Sequence, residues 1–440
     1  MILAYNWLVR PIKHARSKPE HDKAVILAAL RRFGPISRVE IGRLAQIRPN
    51  TVSTLTRELL SESEIVEAGP SDNPKGRKQV LLRLNESRGF LVGVEFDSEQ
   101  VVAVAMDLHP RILSIVRRAP QLDAGIEGLT RQLFACVREA IAAGHIGDAP
   151  LMGIAVADPG LVDPHSGLST MSSLIPFWKD VPLSRLFREE FGIEALVESA
   201  TRAKGVAERV LGAGAMADDM VYVEYGAGIG GAVISQGRLL LGDGGSAAEF
   251  GHTHVVDGGP PCQCGSFGCL EAMAGSAALA GRLRKLVQEG GNSIAVRQVD
   301  GQLDRVTGWM VLEAASAGDK ICSAIVEEMG RYLGLGLANL VNLFNPRLIV
   351  LDRRLKLAGP SLLDQLTRIV RMQALSQATK NLEVRFGELG EEAGVLGAGL
   401  LVLDRLYEIP ALKPPGFLLN PEAAAGFRAT RGLRELSTKS

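Results

Sequence analysis

Cysteine is scarce in this chain: five residues in 440, an odd and sparse set for a disulfide framework. Long apolar runs are missing as well, since no uninterrupted stretch reaches the ~18–20 residues needed to span a bilayer. The opening residues, Met1 to Leu8, are too short and too polar in their flanks to read as a signal peptide. Net charge is zero, with 49 Lys and Arg against 49 Asp and Glu. Together these absences argue against a secreted scaffold and a membrane partner, and the expected location is the cytoplasm. What remains is an ordinary α/β composition, 46% hydrophobic and 22% charged, long enough for two or three domains.

The charge balance hides an asymmetry. Residues 1–86 hold 15 Lys and Arg against 9 Asp and Glu, and the remainder holds 34 against 40. A basic head on an acidic body suggests that the head meets a polyanion. Within the head, Val25, Ile26, Ala29, Leu30 and Phe33 recur at helical spacing until Gly34-Pro35. Ser37-Arg38-Val39-Glu40 reads as a capping box opening a short helix with Val39, Ile41, Leu44 and Ala45 apolar. Pro49 suits the first position of a third helix, whose inward residues are Val52, Leu55, Leu59 and Leu60.

That third helix leaves Asn50, Thr51, Ser53, Thr54 and Arg57 outside, side chains able to pair with base edges and phosphates. Two strands follow, Ile65–Glu67 and Gln79–Leu84, with Lys75-Gly76-Arg77-Lys78 at the tip between them. The pattern is that of a winged helix-turn-helix, with Arg77 and Lys78 available to the phosphate backbone. A trihelical interaction module with solvated polar residues is the alternative. The charge excess and the basic tip favour double-stranded DNA.

From Gly89 the chain becomes strand-rich α/β. Phe90–Phe96 and then Val101–Met106 are matched, without gaps at an offset of 129 residues, by Val221–Tyr225 and Gly230–Ile234. Each copy carries a strand, a glutamate, an aromatic and a hairpin, so a duplicated domain with a ligand cleft between its halves is expected. The turns differ. The second, Gly226–Gly230, would let backbone amides approach a phosphate, although a tight hairpin explains it equally. The first, Asp97-Ser98-Glu99-Gln100, has no glycine and two carboxylates.

Three of the five cysteines fall within eight residues, Cys262, Cys264 and Cys269, a short distance after Gly251-His252. One imidazole and three thiolates can complete a tetrahedral zinc shell, and four protein ligands close it, which predicts a structural metal. The alternative is a set of unrelated thiols of the kind that Cys136 and Cys322 represent.

On these residues the chain resembles the ROK family of repressors, open reading frames and sugar kinases, within the sugar-kinase/actin (ribonuclease H-like) fold. The resemblance extends to about residue 407. It is most specific at Ala248–His252 and the cysteine loop through Glu271, and weaker at Asp158–Asp163, Pro176–Trp178 and Ala393–Ala398. A winged helix-turn-helix before the body is the arrangement of the family's sugar-responsive repressors. The resemblance implies sugar-hydroxyl contacts from Glu249, His252 and Glu271, with bracing of the zinc loop as their alternative role.

Departures from the family's kinases are equally informative. Their Asn-Asp pair, whose Asp is the catalytic base, is matched by Ser199-Ala200, and alanine accepts no proton. Their adenosine-admitting glycine pair is matched by Asp352-Arg353, and their glycine-rich first turn by Asp97–Gln100. The expectation is therefore a non-enzymatic transcriptional regulator, a homodimer or homotetramer reading an operator and responding to a small sugar or sugar derivative. A sugar kinase with a regulatory head, and a ligand-independent regulator sensing a partner protein, are the alternatives. The expected organisation is a DNA-binding domain over 20–86, the first half of the body over 87–219, the second half with the zinc loop over 220–407, and a weakly ordered tail over 408–440.

Overall fold

The structure, a computed structural model, describes residues 17–71, 78–214, 217–226 and 228–407. The basic tip through Arg77 and the tail over 408–440 lie outside the described residues.

The head contains three helices and a small sheet. Helix α1 (Lys18–Phe33) starts seven residues before the apolar pattern does, because Ser17 caps a polar first turn by accepting the Glu20 N–H. Strand β1 (Ile36–Ser37) leads into α2 (Arg38–Ala45), where Ser37 and Glu40 form the expected capping box. Helix α3 (Pro49–Ser61) has proline in its first turn. Strands β2 (Ile65–Pro70) and β3 (Val80–Leu84) then pair antiparallel, and β1 pairs with β3 on the other side. Two residues depart from what hydropathy alone suggests. Val39 is 58% exposed, and Thr56 is buried because its hydroxyl bonds to the Val52 carbonyl and accepts from Arg38 Nε.

The body consists of two five-stranded sheets with the same topology. The first half runs β4 (Phe90–Phe96), β5 (Val101–Asp107), β6 (Ile112–Arg118), α4 (Gly125–Ala143) and β7 (Leu151–Asp158). A three-stranded sheet of β8 (Leu161–Asp163), β9 (Leu168–Met171) and β10 (Lys179–Val181) follows, then α5 (Leu183–Phe191), β11 (Leu196–Ser199) and α6 (Ala200–Leu211). The second half runs β12 (Met220–Tyr225), β13 (Ile229–Ser235) and β14 (Arg238–Leu239), then α7 (Leu270–Ala274), α8 (Ser276–Gln288), α9 (Ile294–Arg297), α10 (Gly308–Ser316) and α11 (Lys320–Phe344). It ends with β15 (Leu348–Leu351), α12 (Pro360–Gln373), α13 (Ser376–Thr379), β16 (Glu383–Phe386) and α14 (Ala393–Leu406).

Strand order is β6-β5-β4-β7-β11 in one sheet and β14-β13-β12-β15-β16 in the other. In both, the first strand pairs antiparallel with the second and parallel with the fourth, so the repeat seen in sequence is a repeat of topology. Both central strands are buried almost throughout, as strands covered on two faces must be.

The two halves exchange their last helices. Helix α6 follows the first sheet but packs on β12 and β13, whereas α14 follows the second sheet but packs on β4 and β7. The helices meet each other where small residues allow it: a Cβ at Gly397 would lie 1.9 Å from the Ala203 carbonyl oxygen. An apolar cluster continues from there into the head, joining Val25, Phe33 and Leu82 to Val402, Leu403 and Tyr407. Among the described residues no helix is long and apolar enough to cross a membrane.

Because the obstacle at Gly397 is backbone, Gly397→Ala is expected to separate α6 from α14 and cost about 1–3 kcal/mol. Thermal unfolding should show a lowered midpoint, and an unchanged one would contradict this close approach.

Candidate functional site

The two turns that a nucleotide would need are both occupied by the protein itself. In the first, Asp97 Oδ1 accepts the backbone N–H groups of Glu99 at 2.6 Å and Gln100 at 2.8 Å. The amides a phosphate would use are thus satisfied by a carboxylate, which would also repel it. In the second, the Gly226 N–H bonds to the Gly228 carbonyl, and the Ile229 N–H donates to Glu271 Oε2 at 3.1 Å.

A guanidinium lies over that second turn. Arg354 donates to the Tyr225 carbonyl at 2.8 Å and to both oxygens of the buried Asp352, and its charge stands 4.7 Å from the Trp309 ring centre. Its Nη2 is 3.5 Å from where a Cβ on Gly226 would sit. The sequence pointed to Asp352-Arg353 as the obstruction. Arg353 and Arg354 are both exposed, and it is Arg354 that reaches the glycine turn, held there by Asp352, which caps the turn that carries it.

Between the halves sits a buried ionic group. Lys204 Nζ on α6 is 3.0 Å from Glu95 Oε1 and 2.6 Å from Glu224 Oε1. Glu95 and Glu224 are the glutamates that the 129-residue repeat places at equivalent positions on β4 and β12. Thr201 adds a hydroxyl bond to the other Glu224 oxygen at 2.5 Å. Burial raises the proton affinity of Glu95, whereas at Glu224 it is outweighed by the Lys204 charge and hydrogen bond, so that carboxyl is held below its ordinary range. Gly394 at the start of α14 makes room for Glu95, since a Cβ there would lie 2.2 Å from Oε2.

At the position of the kinase pair, Ser199 ends β11 and Ala200 opens α6, with no carboxylate at either. Close by, Arg202 is almost fully buried and neutralised by Glu198 through Nε at 2.6 Å. Two of the weaker motif pieces meet here. Trp178 Nε1 donates to Asp158 Oδ2 at 3.1 Å, and burial pushes the Asp158 carboxyl up to about 6 against the hydrogen bonds that favour its charge. Of the three sugar-contact candidates, Glu249 and His252 are exposed, while Glu271 is half-buried and ties the cysteine loop to the glycine turn through Ile229.

His252, Cys262, Cys264 and Cys269 come together, with one ligand atom from each inside a span of 4.8 Å, and can hold a metal ion. Cys262 Sγ lies 3.6 Å from His252 Nδ1, and Cys264 Sγ lies 3.7 Å from Cys269 Sγ. A tetrahedron with metal–sulfur bonds of ~2.3 Å has edges of about 3.8 Å, so these separations fit a four-ligand shell. The loop closes because Gly265 and Gly268 take positive φ, and a Cβ on Gly268 would strike the Val256 carbonyl at 1.9 Å. Burial pushes the Cys262 thiol up to about 12 and raises Cys269, whereas the Ser266 N–H holds the exposed Cys264 low. A divalent cation would expel both raised protons.

On the head, Asn50, Ser53, Thr54 and Arg57 are exposed along α3, Thr51 is half-buried, and Lys78 is exposed at the base of the hairpin. Ser53 meanwhile donates to the Pro49 carbonyl of its own helix. Sequence reasoning passed over Arg48, exposed at the α3 N-cap, where no side chain caps the helix and its first N–H groups remain open to an anion.

The ROK family model matches residues 92–405. The Escherichia coli K12 protein described as the DNA-binding transcriptional dual regulator NagC is 30% identical over 382 residues, covering 87% of this chain and 92% of its own length. A xylose repressor of Caldicellulosiruptor bescii is 26% identical over 390 residues, covering 88% and 97%. The crystal structure of a ROK family transcriptional regulator, described as a homologue of the E. coli MLC protein, superposes with a TM-score of 0.77 at 24% identity, covering 91% of this chain and 98% of that one. That likeness extends the shared fold beyond the body into the head. The chain belongs to the ROK family.

Proposed function

We propose that this chain is a transcriptional repressor of sugar-related genes, with a winged helix-turn-helix head and a body that senses without catalysing. The observation that carries this reading is the pairing of an exposed polar and basic face on α3 with a body whose nucleotide turns are filled by Asp97 and Arg354. The relatives named as repressors of xylose and N-acetylglucosamine genes match this chain along the head as well as the body, as their 87–88% coverage implies.

In this reading α3 enters the major groove, with Asn50, Thr51, Ser53, Thr54 and Arg57 toward base edges and phosphates, and Arg77 and Lys78 on the backbone nearby. Two copies, as a homodimer or within a homotetramer, would read a two-fold operator from the cytoplasm. The metal is zinc, held by His252, Cys262, Cys264 and Cys269, and its role is to fix the loop that carries Glu271 under the glycine turn. A small sugar effector would meet Glu249 and His252, with Glu271 shared between effector and brace. A ligand-independent regulator is the second reading, favoured by the internal pairing of Arg202 with Glu198 and of Lys204 with Glu95 and Glu224.

Phosphoryl transfer needs a base, a phosphate cradle and a nucleotide pocket assembled together, and each is altered here. No sugar phosphorylation above a protein-free control is expected from ATP with a panel of hexoses. Ala200→Asp alone should not restore it, because Asp97 and Arg354 remain; turnover by the native chain would revive the kinase reading.

For DNA, replacing Arg57, Arg77 and Lys78 with alanine should weaken binding to the duplex upstream of the chain's own gene and flatten its salt dependence by about two to three in log–log slope. An unchanged slope and affinity would sink the DNA assignment. For zinc, metal analysis should give one ion per chain, and chelation or Cys264→Ser should lower thermal stability. A metal-free preparation of equal stability would contradict a structural ion.

A further inference from the structure

We propose that Lys204 is a built-in clamp, whose ammonium joins the two repeat-related glutamates so that the body holds its closure on an internal cation rather than on a ligand. The geometry is specific. Glu95 belongs to the first sheet and Glu224 to the second, and Lys204 reaches both from the helix that crosses between them. The side chains of Glu95 and Glu224 are 5% and 17% exposed, and two carboxylates facing each other in such a place repel unless a cation separates them.

The clamp also reaches the head, which rests on the regulator reading. Two rigid elements have one end at the clamp and the other at α1. Helix α14 has Gly394 in its first turn beside Glu95 and carries Asp404 in its last turn, 2.5 Å from Arg31. Strand β12 carries Glu224 near its end, and Asp218, two residues before its start, is 2.9 Å from Arg32. By helix and strand rise the two lie about 15 Å and about 20 Å from clamp to head. The last turn of α1 is therefore held by both rods at adjacent arginines. Opening the body would move Asp404 relative to Asp218 and turn the head.

The test compares the full chain with Lys204→Met by small-angle scattering and amide hydrogen exchange. The variant is expected to have a larger radius of gyration. Exchange at the ends of β4 and β12 and in the last turn of α1 should be faster by about tenfold or more, with helix and strand elsewhere unchanged. Should Lys204→Met fail to fold, a Glu95→Gln/Glu224→Gln chain, which keeps the lysine but removes both carboxylate partners of its charge, should show the same opening. A native radius and native exchange in whichever variant folds would overturn the clamp. Neither measurement uses DNA, so failure of the native chain to bind an operator would strike the regulator reading and leave this test standing.

Discussion

Helices α6 and α14 each leave the sheet they follow in sequence and pack on the other one, and they touch where Gly397 faces the Ala203 carbonyl. Several features of the body lie on or beside this crossing. Lys204 and Arg202 project from α6 toward buried glutamates, Gly394 on α14 accommodates Glu95, and Asp404 at the far end of α14 meets the head. A crossing that depends on the absence of one Cβ tolerates little drift, because packed interiors respond to added volume by shifting whole elements.

The ionic group at the crossing has an energetic logic of its own. Burying a carboxylate costs several kcal/mol, and an ion pair recovers this only when its geometry is good and its remaining atoms are satisfied. Glu224 meets that condition, with Lys204 on one oxygen and Thr201 on the other. Glu95 meets it less fully: its Oε2 is buried without a hydrogen-bond partner, and its proton affinity is raised. Net stability is therefore a poor reason for such a group to exist. Fixing the relation between the two halves is a better one. The turn chemistry agrees, since Asp97 and Arg354 satisfy groups that in a phosphate site would wait for a ligand.

Legibility in the sequence followed the range of the interaction. Local signals were readable: the Ser37–Glu40 capping box, the proline opening α3, the spacing of the cysteines that meet His252 and the gap-free repeat that became two sheets of one topology. Side chains whose roles depend on distant partners were not. Lys204 meets a glutamate more than a hundred residues earlier, and nothing in the alternation of either strand announces it. Arg354 was not singled out beside Asp352-Arg353, because reach, not position at the turn, decides which side chain meets the Tyr225 carbonyl. Val39 kept helical spacing yet stays exposed, and Thr56 is buried through a hydroxyl bond to its own helix, a case where hydrogen bonding overrides hydropathy.

A nuclease footprint of the full chain on DNA from upstream of its own gene tests most directly whether this body serves a DNA-reading head. Two protected half-sites of related sequence, their centres about one helical turn or a small multiple of it apart, are expected from a symmetric pair of α3 helices. Uniform protection without discrete half-sites, or none at salt concentrations where specific complexes persist, would contradict it.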